Sequence, residues 1–257
     1  MAHKSMALLI LIAATISTSL QAQNREVIQR FPFDPEITYS NVILSPAEFL
    51  GYELGDSYTP HHQVVAYFRY LAENTDRMTV QSYGETYEGR ELIYSIITAS
   101  DNHNQLDQIR LANLDLANPE TETNTEAHPV VVWLSYNVHG NEPSSSEAAM
   151  QTAYRFAAST DAETLRMLRE SVLIIDPMIN PDGRDRYGTW YKSSRANVLN
   201  TDASDLEHDE IWPGGRTNHY WFDLNRDWVW LVHPESRGRI QRSEEHTSEL
   251  QSHAPIS

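Results

Sequence analysis

The hydrophobic pattern begins with one unbroken apolar run, Met6-Ala-Leu-Leu-Ile-Leu-Ile-Ala-Ala-Thr-Ile16, placed just after Lys4. A positive start, an apolar segment short for a bilayer and a small, polar stretch from Ser17 to Gln23 predict a secretory signal over residues 1–22. Export to a bacterial periplasm or the cell exterior is therefore expected, with no stable membrane span once the signal is removed. Residues 23–58 hold several prolines and aromatics without periodicity and read as an irregular leader that packs on the domain.

Regular patterning starts at Thr59-Pro60, a Thr cap followed by Pro at the first helical position, with Val64, Val65, Phe68 and Leu71 on one face. Met78–Ser82 and Glu91–Thr98 alternate as strands around a hairpin connection at 83–90. Asp101–Ala127 is polar, and its Thr/Glu/Asn-rich end predicts an exposed loop. The run 130–136, Val-Val-Val-Trp-Leu-Ser-Tyr, is apolar on both faces, which predicts a central parallel strand. A small-residue helix follows, with Ala148, Ala149, Ala153 and Phe156 inward. Asp161 is positioned to cap a second helix carrying Leu165 and Leu168, and 172–178 is another buried strand. Strands alternating with helices predict an α/β class with a largely parallel sheet.

Composition narrows the chemistry. The chain has 257 residues and a formal net charge of -17, which argues against nucleic acid or an anionic membrane as the main partner. There is no cysteine, so neither disulfides nor thiolate ligands are available, and any metal must be held by His, Asp or Glu. His139-Gly-Asn-Glu142 lies just past the end of an apolar strand, where open α/β sheets place ligands. An imidazole and a carboxylate so spaced can begin a catalytic zinc site, although a surface loop would give the same four residues. Asn180-Pro-Asp-Gly183 is a turn by its chemistry. His208, with Asp209 and Glu210, lies in an acidic segment that reads as a solvated loop. Asn225 and Arg226 sit inside an aromatic-rich run; the guanidinium could take a ligand carboxylate bidentately, or pair with Asp223 or Asp227.

These motifs in this order, together with Thr86-Tyr-Glu-Gly-Arg-Glu-Leu92, resemble the zinc metallocarboxypeptidases of the carboxypeptidase A type, over about Thr59 to Gln241. The resemblance implies Zn2+ held by His139 and Glu142. It implies Arg195 as the residue that polarises the scissile carbonyl and stabilises the oxyanion, and Asn225 and Arg226 as the grip on a substrate's terminal carboxylate. The implied partner is a peptide with a free C-terminal carboxylate, and the implied activity removal of C-terminal residues. The family also has a third zinc ligand, a His at the end of a later strand, and a Glu general base. Neither has a match: His233, before Pro234-Glu235, reads as a helix start, and His219 precedes Asp223 too closely. The resemblance thus implies a three-layer α/β/α fold on a mixed, largely parallel sheet truncated before its later strands, and the chain is expected to be a partial catalytic domain over 59–241 that binds zinc poorly, aggregates and lacks peptidase activity.

Two further readings stand beside this one. Zinc-dependent N-acyl amino acid deacylases of the aspartoacylase and succinylglutamate desuccinylase type share His-Gly-Asn-Glu and Asp-Leu-Asn-Arg. Against them stand Glu88-Gly89-Arg90, Asn180-Pro-Asp-Gly183 and the export signal. The other is a binding module or non-functional fragment. Residues 242–257 can be encoded in frame by a common sequencing-library adapter, so the native sequence is expected to stop near Gln241. The composition carries no sign of oligomeric state or of the preferred side chain.

Overall fold

The computed structural model describes residues 35–116, 118, 120, 128–196, 198 and 200–246. The signal expected at 1–22, the first part of the leader, the end of the polar loop and the tail from 247 lie outside the described residues. The chain divides into two units after Ile37, and all of its described helices and strands belong to the unit from Thr38 onward.

Residues 38–58 hold a helix where irregular chain is expected. Here α1 (Pro46–Leu50) is a short helix closed by a capping box between Ser45 and Glu48 and by Gly51 in the left-handed conformation. The next helix, α2 (His61–Asn74), buries Val64, Val65, Tyr67, Phe68 and Leu71, the face expected from the 3.6 periodicity. Its cap differs from expectation. Pro60 occupies the N-cap position without a side-chain bond. The Thr59 backbone is claimed elsewhere: its N–H donates to Glu147 Oε1 and its carbonyl accepts from Arg184.

The sheet has four strands in the order β1-β2-β4-β3. The strands β1 (Met78–Glu85) and β2 (Glu91–Ile97) form an antiparallel hairpin, and β2 pairs antiparallel with β4 (Ser171–Asp176). Only β3 (Val130–Ser135) runs parallel to its neighbour, β4. The sheet is mixed, as expected, but among the described strands the parallel share is the smaller one. A five-residue turn joining β1 to β2 leaves no room for the crossover that a parallel pair requires. The expected central place of β3 is likewise corrected. Among the described strands it lies at the edge, with Val130 58% and Val132 37% exposed.

Helices cover both faces of the sheet. On one, α2 and α5 (Ser145–Ala158) pack with Ile93, Ile97, Leu173 and Ile175; Leu168 of α6 (Ala162–Glu170) joins the same core. Ala148 points outward and Met150 and Tyr154 inward, so the buried stripe of α5 is rotated from the expected one. Asp161 caps α6 through Thr164 N–H, as expected. On the other face Ile96, Val172 and Ile174 meet Ile109 of α4 (Leu106–Leu116), which follows α3 (Ser100–His103) in the segment read only as polar, ahead of the end expected to be an exposed loop. That segment escaped a helix reading because Ile109 is the single buried residue α4 contributes. Two helices complete the unit: α7 (Pro181–Ser194) and α8 (Pro234–His246). No helix among the described residues is long and apolar enough to cross a membrane.

Candidate metal and substrate site

Three separated stretches meet at the carboxyl end of β3. The first is the turn after that strand. Asn137 takes a left-handed conformation, φ 57°, and its side-chain amide donates to the carbonyls of His139 at 2.9 Å and Glu142 at 3.3 Å. Glu142 N–H closes back on the His139 carbonyl. One amide therefore braces both ends of His139-Gly-Asn-Glu142. A non-glycine residue held at positive φ is uncommon, and Asn tolerates it better than most.

The second stretch is Asn180-Pro-Asp-Gly183, which is a helix start rather than a free turn. Asn180 caps α7 by accepting from Gly183 N–H at 3.0 Å, and Pro181 takes the first helical position. Its role at the site is close packing. A Cβ on Gly140 would lie 2.1 Å from the Gly183 carbonyl carbon and 2.2 Å from Arg184 N. The third stretch comes in at the same place, since Gly140 and Gly183 would both meet the Gly215 carbonyl, at 2.5 and 2.3 Å. Backbone rests on backbone here, which only glycine permits.

At this junction His139 and Glu142 converge. His139 Nδ1 lies 2.8 Å from Glu142 Oε1, and the imidazole is almost enclosed while the carboxylate side chain is 41% exposed. The other ring nitrogen, Nε2, faces Asp223 Oδ1 at 3.1 Å. Asp223 also accepts from Arg216 at 2.9 Å and from Asn225 N–H at 2.9 Å. Burial works against its charge, but the bonds from Arg216, the Asn225 backbone and His139 hold its carboxyl below the usual carboxylate range. An ionised Asp223 fixes the ring plane of His139 through Nε2 and so aims Nδ1 at Glu142 Oε1.

Asn225 and Arg226 follow on a single 3-10 turn, Leu224–Arg226, capped by Asp223 itself. Both are exposed. The Asn225 side-chain oxygen accepts from Trp228 Nε1 at 3.0 Å, which leaves its NH2 group as the available donor. Arg226 reaches the Asn225 carbonyl at 3.2 Å and makes no ion pair among the described residues. The expected alternative, Arg226 paired with Asp223 or Asp227, is thus not found. Asp223 is used by His139 and Arg216, and Asp227 by the N–H groups of Val232 and His233.

Arg195 lies apart from these contacts. It is the exposed C-cap of α7, with its guanidinium 5.6 Å over the Tyr191 ring. His233 is buried, with Nδ1 accepting from Asn218, and it immediately precedes α8, as expected of a helix start. His219 pairs with Glu88 at 3.0 Å. His208 bonds the Asn200 carbonyl in an exposed loop, but its neighbour Glu210 does reach the site. One Glu210 oxygen takes Asn141 Nδ2 at 2.8 Å and the other takes Gly215 N–H. Asn137, Asp223 and Glu210 are contacts of the site that the sequence pattern does not foresee: it gives Asn137 no role, reads Glu210 as part of a solvated loop and offers Asp223 only as a partner for Arg226. Only Asp223, inside Asp-Leu-Asn-Arg, carries a signal that could have marked it.

The donor set fits zinc in kind: an imidazole nitrogen and a carboxylate oxygen, with the far ring nitrogen on a carboxylate. It is short in number, since a catalytic zinc takes three protein ligands. Among the described residues the cluster of three metal-type donors is a different one, Glu88, Asp182 and His219. That cluster already contains a cation, because Arg90 bonds both Glu88 and Asp182.

A sequence profile of the zinc carboxypeptidase family matches residues 64–255. No curated protein sequence matches the chain. Among solved structures it is similar to carboxypeptidase A from Helicoverpa armigera, with 16% identity and a TM-score of 0.47 over 80% of this chain and 46% of that one. It is also similar to a metallo-carboxypeptidase from Burkholderia cenocepacia, with 16% identity and a TM-score of 0.46 over 73% of this chain and 38% of that one. The chain thus spans less than half the length of either structure.

Proposed function

The chain belongs to the zinc carboxypeptidase family, and from that premise we propose that it carries half of a zinc exopeptidase centre acting on the C-terminal end of peptides. The observation that supports this most is the meeting of His139 Nδ1 and Glu142 Oε1 at 2.8 Å, with Asp223 behind the imidazole. His139 and Glu142 would hold the ion. Zinc, when bound, acidifies a water and polarises a carbonyl.

The remaining chemistry belongs to the chain's own residues. Asp223 holds the His139 ring through Nε2, so that Nδ1 is turned toward Glu142. The Asn225 amide and the Arg226 guanidinium, next to Asp223 in the chain and exposed, would bind a terminal carboxylate through charge-assisted bonds. A fixed cation reading a chain end explains why such an enzyme trims ends and spares middles. Arg195, at the end of α7, would have to swing in to stabilise an oxyanion, a contribution worth a few kcal/mol where such donors act. The apolar run 6–16 supports export as the setting.

Two measurements test this reading. Zinc titration against a colorimetric chelator should show binding that His139→Ala or Glu142→Gln weakens more than tenfold; binding indifferent to both would sink the metal assignment. Binding of a short peptide with a free C-terminus should exceed binding of its C-terminal amide, and Arg226→Ala should erase the difference. Preference for an N-acyl amino acid over both peptides would favour a deacylase instead.

A further inference from the structure

Tyr58 lies in the stretch expected to be irregular leader, yet it is buried and its hydroxyl donates to the Gly140 carbonyl at 2.6 Å. Gly140 sits between the two residues assigned to zinc. We propose that Tyr58 is a positioning residue for the metal-binding turn, holding the Gly140 carbonyl so that His139 and Glu142 converge; this rests on the zinc reading of that pair.

The ring is itself held on three sides. The Arg184 guanidinium stacks 4.0 Å above it, and Tyr187 packs against it at 5.2 Å. Gly188 lies beneath: a Cβ there would come within 2.8 Å of the ring. Arg184 is fully buried. It bonds Glu147 Oε1 at 2.7 Å and the Thr59 carbonyl at 3.0 and 3.1 Å, while Glu147 also accepts from Thr59 N–H. Glu147 stands five residues past Glu142, on the helix that follows the turn. The Arg184–Glu147 pair therefore ties the Tyr58–Thr59 backbone to both helices flanking the site. A buried ion pair of this kind adds little net stability but fixes geometry. Burial also raises the Tyr58 hydroxyl well above its ordinary value, so it stays a donor across the working pH range.

The test separates positioning from stability. Tyr67 offers a matched control, because its buried hydroxyl also donates to a backbone carbonyl, that of Leu44 at 3.1 Å. Zinc affinity and metal-free thermal melting are measured for the chain and for Tyr58→Phe, Tyr67→Phe and His139→Ala. Tyr58→Phe should weaken zinc about tenfold, the low end of the range for supporting residues around a metal. Tyr67→Phe should leave affinity within twofold, and the two Phe variants should melt within a few degrees of each other. Unchanged affinity in Tyr58→Phe overturns the proposal. So does equal weakening in both Phe variants, or a melting temperature for Tyr58→Phe far below that of Tyr67→Phe. Zinc binding that survives His139→Ala refutes the zinc reading instead, and this proposal with it.

Discussion

His139 Nε2 and Asp223 Oδ1 lie 3.1 Å apart although 84 residues separate them in the chain. This contact sets which nitrogen of His139 faces Glu142. Replacing Asp223 by Asn keeps the size and removes the charge that favours that arrangement. Zinc affinity should fall by about 10- to 100-fold. Chelator competition at neutral pH measures it, and an affinity equal to that of the unsubstituted chain would contradict the orienting role.

Gly140→Ala should be among the most damaging single changes near the site. The new methyl would meet backbone atoms at 2.1 and 2.2 Å, and backbone cannot swing aside as a side chain can. A loss of about 3 kcal/mol, the upper end of ordinary overpacking, is expected from urea unfolding midpoints. A loss below roughly 0.5 kcal/mol, the scale of ordinary surface substitutions, would mean that the three loops are not locked together.

Asn137 combines two demands, a left-handed backbone and a donor to two carbonyls. Asn137→Gly keeps the first and loses the second; Asn137→Ala loses both. The order of stability should be Asn, then Gly, then Ala, with the Ala variant down by about 1–3 kcal/mol. Denaturant titration of the three proteins decides it. An Ala variant as stable as Asn would show that neither demand matters.

Glu235 is fully buried at the start of α8. Burial, aided by the charges of Asp182 and Asp227, pushes its carboxyl up to about 7 from an ordinary 4.5. Between those values the folded state keeps a proton that the unfolded chain has released. Stability should therefore fall as pH rises through this window, with the full penalty present above 7. Asp176, raised by burial to about 6, adds the same sign from 3.8 upward. Glu235→Gln should change stability little at pH 4.5 and gain on the order of a few kcal/mol at pH 8. Urea unfolding at both pH values checks this; an equal gain at each would show that the carboxyl does not titrate as argued.

Much of the local structure was legible. The apolar spacing of Val64, Val65, Phe68 and Leu71 identified the buried face of α2, and Asp161 identified its own capping role. Both follow from residues within a turn or two of each other. The misreadings have one origin. Thr59 looked like a cap, but its N–H and carbonyl serve Glu147 and Arg184, 88 and 125 residues away. The run 130–136 looked central because both its faces are apolar, yet strand order among the described residues puts β3 at the edge.

The sequence by itself determined the family and singled out His139 and Glu142 as the candidate pair, because the two are near neighbours and the motifs keep their order along the chain. Only the tertiary structure decided what holds that pair in place. Asp223, Glu210 and Tyr58 reach the turn across gaps of 84, 69 and 82 residues. Such contacts arise when separate strands and helices are packed together, and they impose no period and no spacing on the chain that brings them there.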